Sequence, residues 1–348
     1  MAKKPDSGAA FRDFKAALRQ KQPHHLYIFH GEEDYLRTYY LAALKKLLLD
    51  GPAEDFNLHR FDARTWDLGA FSDAVDAIPV MAEASFIQVD DVDPYQLPAE
   101  EREQLAAILS DVPDYCYIVF LFDTVPWKPD RRQRKFHAAI EQNAQIVAFD
   151  RQPERELMSW VARHFASHGK RIDPNLCRYI IAICGASMTA MASEIGKIAA
   201  YCTADTVTRA DVDAVVEPVL DAVVFELTDA IAAGRYDRAL QTLRVLLQMQ
   251  QEPIPILGAV GSQLRRASAA RILASAGRGP DALMRMYGLS SYPAQKAFDF
   301  ARRVPERFFD AALSLCAETD WQMKTSFDTP EALLELLVLR LAQEAKNG

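Results

Sequence analysis

The chain has 348 residues, half of them hydrophobic and a quarter charged, which is ordinary globular composition with enough apolar mass for more than one core. At about 150 residues per domain it should hold two or three domains. The net charge of -8 excludes a polycationic nucleic-acid coat, and the acidity is uneven. Residues 218–348 hold 15 Lys+Arg and 15 Asp+Glu, which leaves 25 and 33 of the totals of 40 and 48 for residues 1–217.

No apolar run approaches the ~18 residues that a membrane span needs; the longest is Cys116 to Phe122. The opening MAKKPDSGAAFRDFKAAL has two lysines and no apolar core segment, so no secretory leader is expected. Five cysteines, Cys116, Cys177, Cys184, Cys202 and Cys316, are an odd number without close pairing. They argue against a disulfide framework and for a reducing compartment, and without a CxxC spacing a structural zinc site is not expected. The expected location is the cytoplasm.

In chain order, HHLYIFHG (24–31) reads as a buried strand ending at a glycine, and residues 34–49 repeat apolar positions at helical spacing. Phe56 to Asp62 alternates like a second strand. Leu68, Phe71, Val75 and Ile78 mark a short amphipathic helix that Pro79 stops. Ser85 to Val89 is a strand, residues 100–110 a helix, Tyr115 to Phe122 a central strand, Arg131 to Asn143 a helix, and Gln145 to Phe149 a last strand. This alternation predicts an α/β domain over 1–150, a mostly parallel sheet with helices on both faces.

After residue 150 the strand signal disappears. Helices are predicted over 153–169, from an Asp173-Pro174 start to Cys184, over Ser187 to Tyr201, and from Thr208 or Arg209. Residues 151–217 thus form a small helical domain, and Glu217-Pro218 is the candidate linker. Residues 218–348 read as an all-α domain broken at Gly234, Glu252-Pro253, Gly277 to Pro280, Gly288 to Pro293, Pro305 and Thr329-Pro330, with no fixed repeat.

The first strand runs into a glycine and then a helix, where an ATP-binding phosphate loop would sit. Its pattern is Gly, four residues, Gly-Lys and Ser/Thr. Here the spacing reads Gly31-Glu32-Glu33-Asp34-Tyr35-Leu36-Arg37-Thr38. Leu36 replaces the second glycine and Arg37 the lysine, while Gly31 and Thr38 fit. Glu32, Glu33 and Asp34 put three carboxylates where phosphate oxygens would lie. Their repulsion would be several kcal/mol, on the order of 332/(ε·r) at effective ε ~20. One reading is a phosphate-loop architecture that has lost its nucleotide. The other is a plain strand-to-helix turn whose acids suit the helix dipole. Asp90-Asp91 after Phe86–Val89 resemble the acids that hold Mg²⁺ in ATPases, and Asp123-Thr124 end the central strand; without a phosphate loop these read as solvated or structural.

Six stretches carry a resemblance to the delta-subunit family of bacterial DNA polymerase III clamp loaders. They are LYIFHGEEDYLRT, AIPVMAEASFIQVDDV, MASEIGKIAAY, VVFELTDAIAAGRYDRALQTLRVLL, EPIPILGAVGSQLRRA and ETDWQMKTSFDTPEALLELLVLRL. They run in the family's order over nearly the whole chain. The resemblance implies an AAA+-like N-terminal module that neither binds nor hydrolyses ATP, a small helical lid (151–217) and an all-α collar (218–348). It implies no cofactor and no ATPase activity of the chain's own, within a DNA-directed DNA polymerase holoenzyme. Implied partners are the beta sliding clamp, the gamma/tau and delta-prime subunits and primer-template DNA, with no membrane.

The family inserts two bulky apolar residues after a proline into a pocket on the clamp. Leu68, Phe71, Val75, Ile78, Pro79, Val80 and Met81 are therefore the candidate clamp contacts. The pair here is Val80-Met81, smaller than the family's usual pair; the alternative is that both simply pack under the sheet. Arg265, Arg266, Arg271, Arg302 and Arg303 are candidate DNA or subunit contacts, within a stretch that also holds Arg278, Arg285 and Lys296 against Asp281 and Asp299. A solvated face is the alternative there, and likewise for Arg131, Arg132, Arg134 and Lys135. His164 and His168 have the spacing of a metal pair, but FAS between them lacks the catalytic Glu of a zinc protease, so they read as a surface pair. Trp321 and Lys324 match the family's terminal motif and are expected in packing and the collar interface. An ATP-hydrolysing subunit of the same superfamily and a helical scaffold unrelated to replication remain the alternatives.

Overall fold

The computed structural model of the chain describes residues 7–49, 54–185 and 187–346. Residues 1–6, where the stretch expected to lack a leader begins, lie outside the described residues. The backbone falls into two compact units, Met1–Gln152 and Pro153–Gly348, each taken here by itself.

The first unit runs α1 (Ser7–Gln20), β1 (Leu26–His30), α2 (Asp34–Leu48), α3 (Glu54–Asn57), β2 (Leu58–Asp62), α4 (Leu68–Asp76), β3 (Ser85–Asp90), α5 (Ala99–Ser110), β4 (Cys116–Leu121), α6 (Arg134–Asn143) and β5 (Gln145–Ala148). The strands stand in the order β2-β3-β4-β1-β5, and every neighbouring pair is parallel. β4 is central, as its unbroken apolar run predicts. In register, Ile28 of β1 lies opposite Phe120 of β4 and Ile146 of β5.

Alternation along β1 feeds two cores, because successive side chains leave opposite faces of a strand. Leu26 and Ile28 join Phe71 and Val75 of α4, Leu105 and Leu109 of α5, and Phe136 and Ile140 of α6. Tyr27 and Phe29 turn the other way, against Phe14 of α1. Helices therefore cover both faces, as the alternation of strands and helices predicts.

Three local departures have physical reasons. The alternation over Phe56 to Asp62 breaks, since residues 54–57 coil into α3 and the strand starts at Leu58. The helix expected to reach Ile78 ends at Asp76, and Ala77 is already extended with ψ 123°; Ile78, the residue before Pro79, is disfavoured in the helical region, so the helix cannot run on to it. α1 was not anticipated. Its Phe14 is fully buried, so this helix is part of the core.

The second unit is helical: α7 (Glu154–Ser167), α8 (Pro174–Cys184), α9 (Met188–Tyr201), α10 (Arg209–Val215), α11 (Leu220–Ala232), α12 (Tyr236–Gln248), α13 (Pro253–Ser275), α14 (Pro280–Tyr287), α15 (Ser291–Arg303), α16 (Glu306–Thr325) and α17 (Pro330–Lys346). The starts read from sequence are real caps. The Asp173 side chain accepts the Asn175 N–H, Ser187 accepts that of Ala190, and Thr208 with Asp211 closes a reciprocal capping box. One strand-like feature was not expected past residue 150, a parallel bridge between Arg171 and Thr206. α11 to α17 share one core, with Leu227, Leu243, Leu264, Phe298, Phe308 and Leu337 inside it.

All five cysteines are free and buried. Burial pushes the Cys184 thiol up to about 12 and those of Cys116, Cys177 and Cys316 to about 11.

Candidate functional site

The strand-to-helix loop after β1 closes on the end of β5. The Glu33 N–H donates to the Phe149 carbonyl at 2.8 Å, and the Phe149 N–H donates to the His30 carbonyl at 2.7 Å. Gly31, at φ +125°, lies so near that a Cβ there would stand 2.3 Å from the Phe149 oxygen. Arg37, at the lysine position of the phosphate-loop pattern, is buried. Its guanidinium donates to the Gly31 carbonyl at 2.5 Å and pairs with Asp123 at the end of β4. Leu36 is buried in place of the pattern's second glycine, and Thr38 is exposed.

The expectation that three carboxylates crowd one anion site is corrected by their directions. Glu32 points out to Arg151, 2.9 Å away. Glu33 is buried, and burial, then the neighbouring Asp34, pushes its carboxyl above the usual range. Asp34 opens α2 and accepts the Tyr35 N–H at 2.8 Å. Phosphate binding at a helix start needs backbone N–H groups aimed at the ligand. Here those of Glu33, Tyr35 and Arg37 already serve Phe149, Asp34 and the Glu33 carbonyl.

The acids after β3 are also engaged rather than solvated. Asp90 accepts two bonds from the Gln88 amide. Asp91 accepts the backbone N–H groups of Asp123, Thr124 and Val125 at 2.8, 3.0 and 3.1 Å and the Thr124 hydroxyl at 2.6 Å. It ties the ends of β3 and β4 together. Burial pushes the Asp91 carboxyl up, but the Thr124 hydroxyl and the three N–H donors outweigh it and hold the carboxyl below its ordinary value. A depressed carboxylate stabilises the fold above its unfolded pKa, and that contribution disappears as pH falls through the lower folded value. The protection factors of the amides of residues 123–125 should therefore fall as pH drops below about 4 in the wild type. Asp91→Asn should remove that acid dependence, with faster exchange already at neutral pH.

The turn after α4 is an exposed apolar feature of the first unit. The Asp67 side chain caps α4 by accepting the Ala70 N–H at 2.7 Å. Phe71 and Val75 are buried, so these two seat the helix and are not available as surface contacts, while Leu68 is half-buried against the same core. Beyond the helix the pattern reverses. Ile78 is 79% exposed, Val80 51% and Met81 89%, with Pro79 half-buried between them. Val80 and Met81 thus do not pack under the sheet. Met81 holds a φ of +52°, uncommon for a residue with a side chain.

Two residues that the sequence reading passed over stand beside this turn. The buried Asn57 of α3 accepts the Val80 N–H on Oδ1 at 2.7 Å and donates from Nδ2 to the Val80 carbonyl at 2.9 Å. Its neighbour Phe56 is 72% exposed. An asparagine next to an aromatic where a strand was expected to begin was the available signal.

In the second unit the arginine cluster is partly spent within the fold. Arg271 donates to the Ala301 carbonyl at 2.9 Å, Arg303 joins Lys296 on Asp229, and Arg302 lies 3.5 Å from Asp299. Arg265 and Arg302 are exposed and Arg266 is half-buried. Trp321, expected in packing, is exposed on α16, and Lys324 pairs with Asp320 one turn earlier. His164 and His168 sit edge to face, with Trp160 stacked on His164. Among the described residues no group of three or more His, Cys, Asp or Glu is arranged to hold a metal ion, and no helix is long and apolar enough to cross a membrane.

Comparison with known proteins adds the family. The family model described as DNA polymerase III, delta subunit, matches residues 27–150, and that of the DNA polymerase III delta subunit, C-terminal domain, matches residues 221–341. A curated relative, DNA polymerase III subunit delta of Bacillus subtilis (strain 168), is 24% identical over 344 residues, covering 97% of this chain and 98% of that protein. The solved structure of the Bacillus subtilis DNA clamp loader delta protein is 22% identical, with a TM-score of 0.59 over 96% of this chain and 99% of that one. That likeness gives the fold over nearly the whole chain, and the two family models cover the sheet unit from β1 onward and most of the helices from α11 to α17. The chain belongs to the DNA polymerase III delta subunit family.

Proposed function

We propose that the chain is the non-catalytic delta subunit of a clamp loader, gripping the beta sliding clamp with the Ile78–Met81 turn and opening one interface of the ring for loading onto primed DNA. The observation that carries this reading is the turn itself, three apolar side chains held out beyond a helix whose Phe71, Ala74 and Val75 are buried. A few apolar anchors entering a pocket supply most of the affinity in such contacts. Pro79 fixes the backbone beside them, which lowers the ordering cost of binding. Met81 is unbranched and adapts to the shape it meets.

The chain's own chemistry is mechanical. With the N–H groups of Glu33, Tyr35 and Arg37 already bonded and the Arg37 side chain folded onto Asp123, this chain leaves ATP binding and hydrolysis to the gamma/tau subunits. Nucleotide in those subunits shifts the assembly towards the arrangement in which the turn is exposed, and it does so only by favouring that arrangement over the closed one. Residues 151–217 act as the lid and 218–348 as the collar, where Trp321 and the arginines Arg265, Arg266, Arg271, Arg302 and Arg303 face delta-prime, gamma/tau or primer-template DNA. The subunit works in the cytoplasm as part of the DNA polymerase III holoenzyme.

Surface plasmon resonance on immobilised beta clamp tests this. The wild-type chain should bind, and Val80→Ser/Met81→Ser should bind about 30-fold more weakly or worse, the loss of two anchors of roughly 1 kcal/mol or more each. Both side chains are exposed, so thermal unfolding should stay unchanged. Equal binding by the two proteins removes the turn from the contact. Mg²⁺-dependent ATP binding by the purified chain would overturn the non-catalytic assignment.

A further inference from the structure

We infer that α3 is a second part of the clamp contact, with Phe56 an additional apolar anchor and Asn57 the residue that positions the Ile78–Met81 turn. The inference rests on the reading above that this turn meets the clamp, and it names that same ring as the one occupant of the enlarged patch.

The geometry comes from one side chain. Asn57 reaches across 23 residues of sequence and treats Val80 as a neighbouring strand would, taking its N–H at 2.7 Å and serving its carbonyl at 2.9 Å. Asn57 is 2% exposed, so the amide that makes these bonds is itself fixed in the unit. Val80 is gripped on both backbone groups just after Pro79 and just before Met81, whose positive φ needs support from its surroundings. The turn is thereby preset instead of being ordered on contact, and preset segments bind more tightly because less freedom is lost. The same grip joins the α3 turn to the Ile78–Met81 turn. Phe56 adjoins Asn57 in the chain and is 72% exposed, so α3 presents an uncovered aromatic side chain next to the residue that grips Val80. Aromatic side chains are favoured anchors at interfaces because they bury large area with few rotatable bonds.

The test uses the full chain, immobilised beta clamp and hydrogen exchange resolved to residues 78–84. Phe56→Ser should weaken clamp binding at least five-fold, chiefly through faster dissociation, and leave exchange at 78–84 unchanged. Asn57→Ala should weaken binding about ten-fold and accelerate exchange at 78–84, a readout that loss of an anchor alone does not move. Phe56 is exposed, so its substitution reports on the contact even if Asn57→Ala proves too unstable to purify. Wild-type affinity for Phe56→Ser, or unchanged exchange at 78–84 in Asn57→Ala, overturns the inference. If Val80→Ser/Met81→Ser abolishes binding in the same assay, the reading of the turn survives that failure. If that double variant binds normally, the reading of the turn fails and this inference falls with it.

Discussion

Gly31→Ala should unfold the sheet unit, or destabilise it by about 4 kcal/mol or more, far beyond the usual range for a single methyl. Its φ of +125° belongs to a region that residues with a side chain rarely adopt. The added carbon would also stand 2.3 Å from the Phe149 oxygen and 2.6 Å from its carbonyl carbon, and both are backbone atoms that cannot swing aside. Relieving the clash means parting the loop from β5, which breaks the Glu33–Phe149 hydrogen bond and disturbs the buried Arg37 that serves the Gly31 carbonyl. Hydrogen exchange of β1 and β5 amides under native conditions would read the loss directly. A variant with wild-type protection there would show that the contact with Phe149 is not structural. Gly31 closes the loop onto the end of β5, a use that requires no nucleotide.

Phe14→Ala should cost the same unit about 3–5 kcal/mol, the range for removing a fully buried aromatic ring. Phe14 meets Tyr27 and Phe29 edge to face at 5.1 Å, Tyr40 at 5.7 Å and Phe149 at 6.4 Å. It is the point where α1 joins the face of the sheet opposite α4, α5 and α6. Because the chain has two compact units, a single melting curve mixes their transitions. Urea titration followed by exchange of the β1 and β5 amides isolates the relevant one. Its midpoint should fall while amides in α11 and α13 keep theirs. An unchanged midpoint would mean that α1 contributes nothing to the sheet.

The sequence was most legible where local chemistry decides. Four strands followed from apolar runs and β2 from alternation, with its start set two residues too early, and the breaks among α11 to α17 fell at the glycines and prolines that mark them. Asp173-Pro174 and Thr208 started helices because their side chains cap the first turn, a matter of three residues. It was least legible where a partner lies far along the chain. Nothing near Arg37 announces Asp123, 86 residues on, and nothing near Asn57 announces Val80. The three acids after Gly31 looked like one charged cluster, and only the fold sends Glu32 to Arg151 and Glu33 into the interior. The same holds for the candidate contact. Leu68, Phe71, Val75 and Ile78 share a helical spacing, which says they lie on one stripe and not that the stripe is covered along its whole length. The structure covers Phe71 and Val75, half-covers Leu68 and leaves the region beyond the helix uncovered. α1 was missed because its aromatic stripe is diluted by Arg12, Asp13, Lys15 and Arg19, and only the sheet it packs on makes Phe14 a core residue.

The buried sulfurs have a practical consequence. A thiol reacts with maleimides as its thiolate, and burial keeps Cys116, Cys177, Cys184 and Cys316 protonated and shielded while Cys202 is equally enclosed. The folded chain is therefore silent to such dyes, and one cysteine introduced on the exposed turn would carry a fluorophore alone. Capture and release of a ring could then be watched by the colour or polarisation of a single label, with every native sulfur left in place.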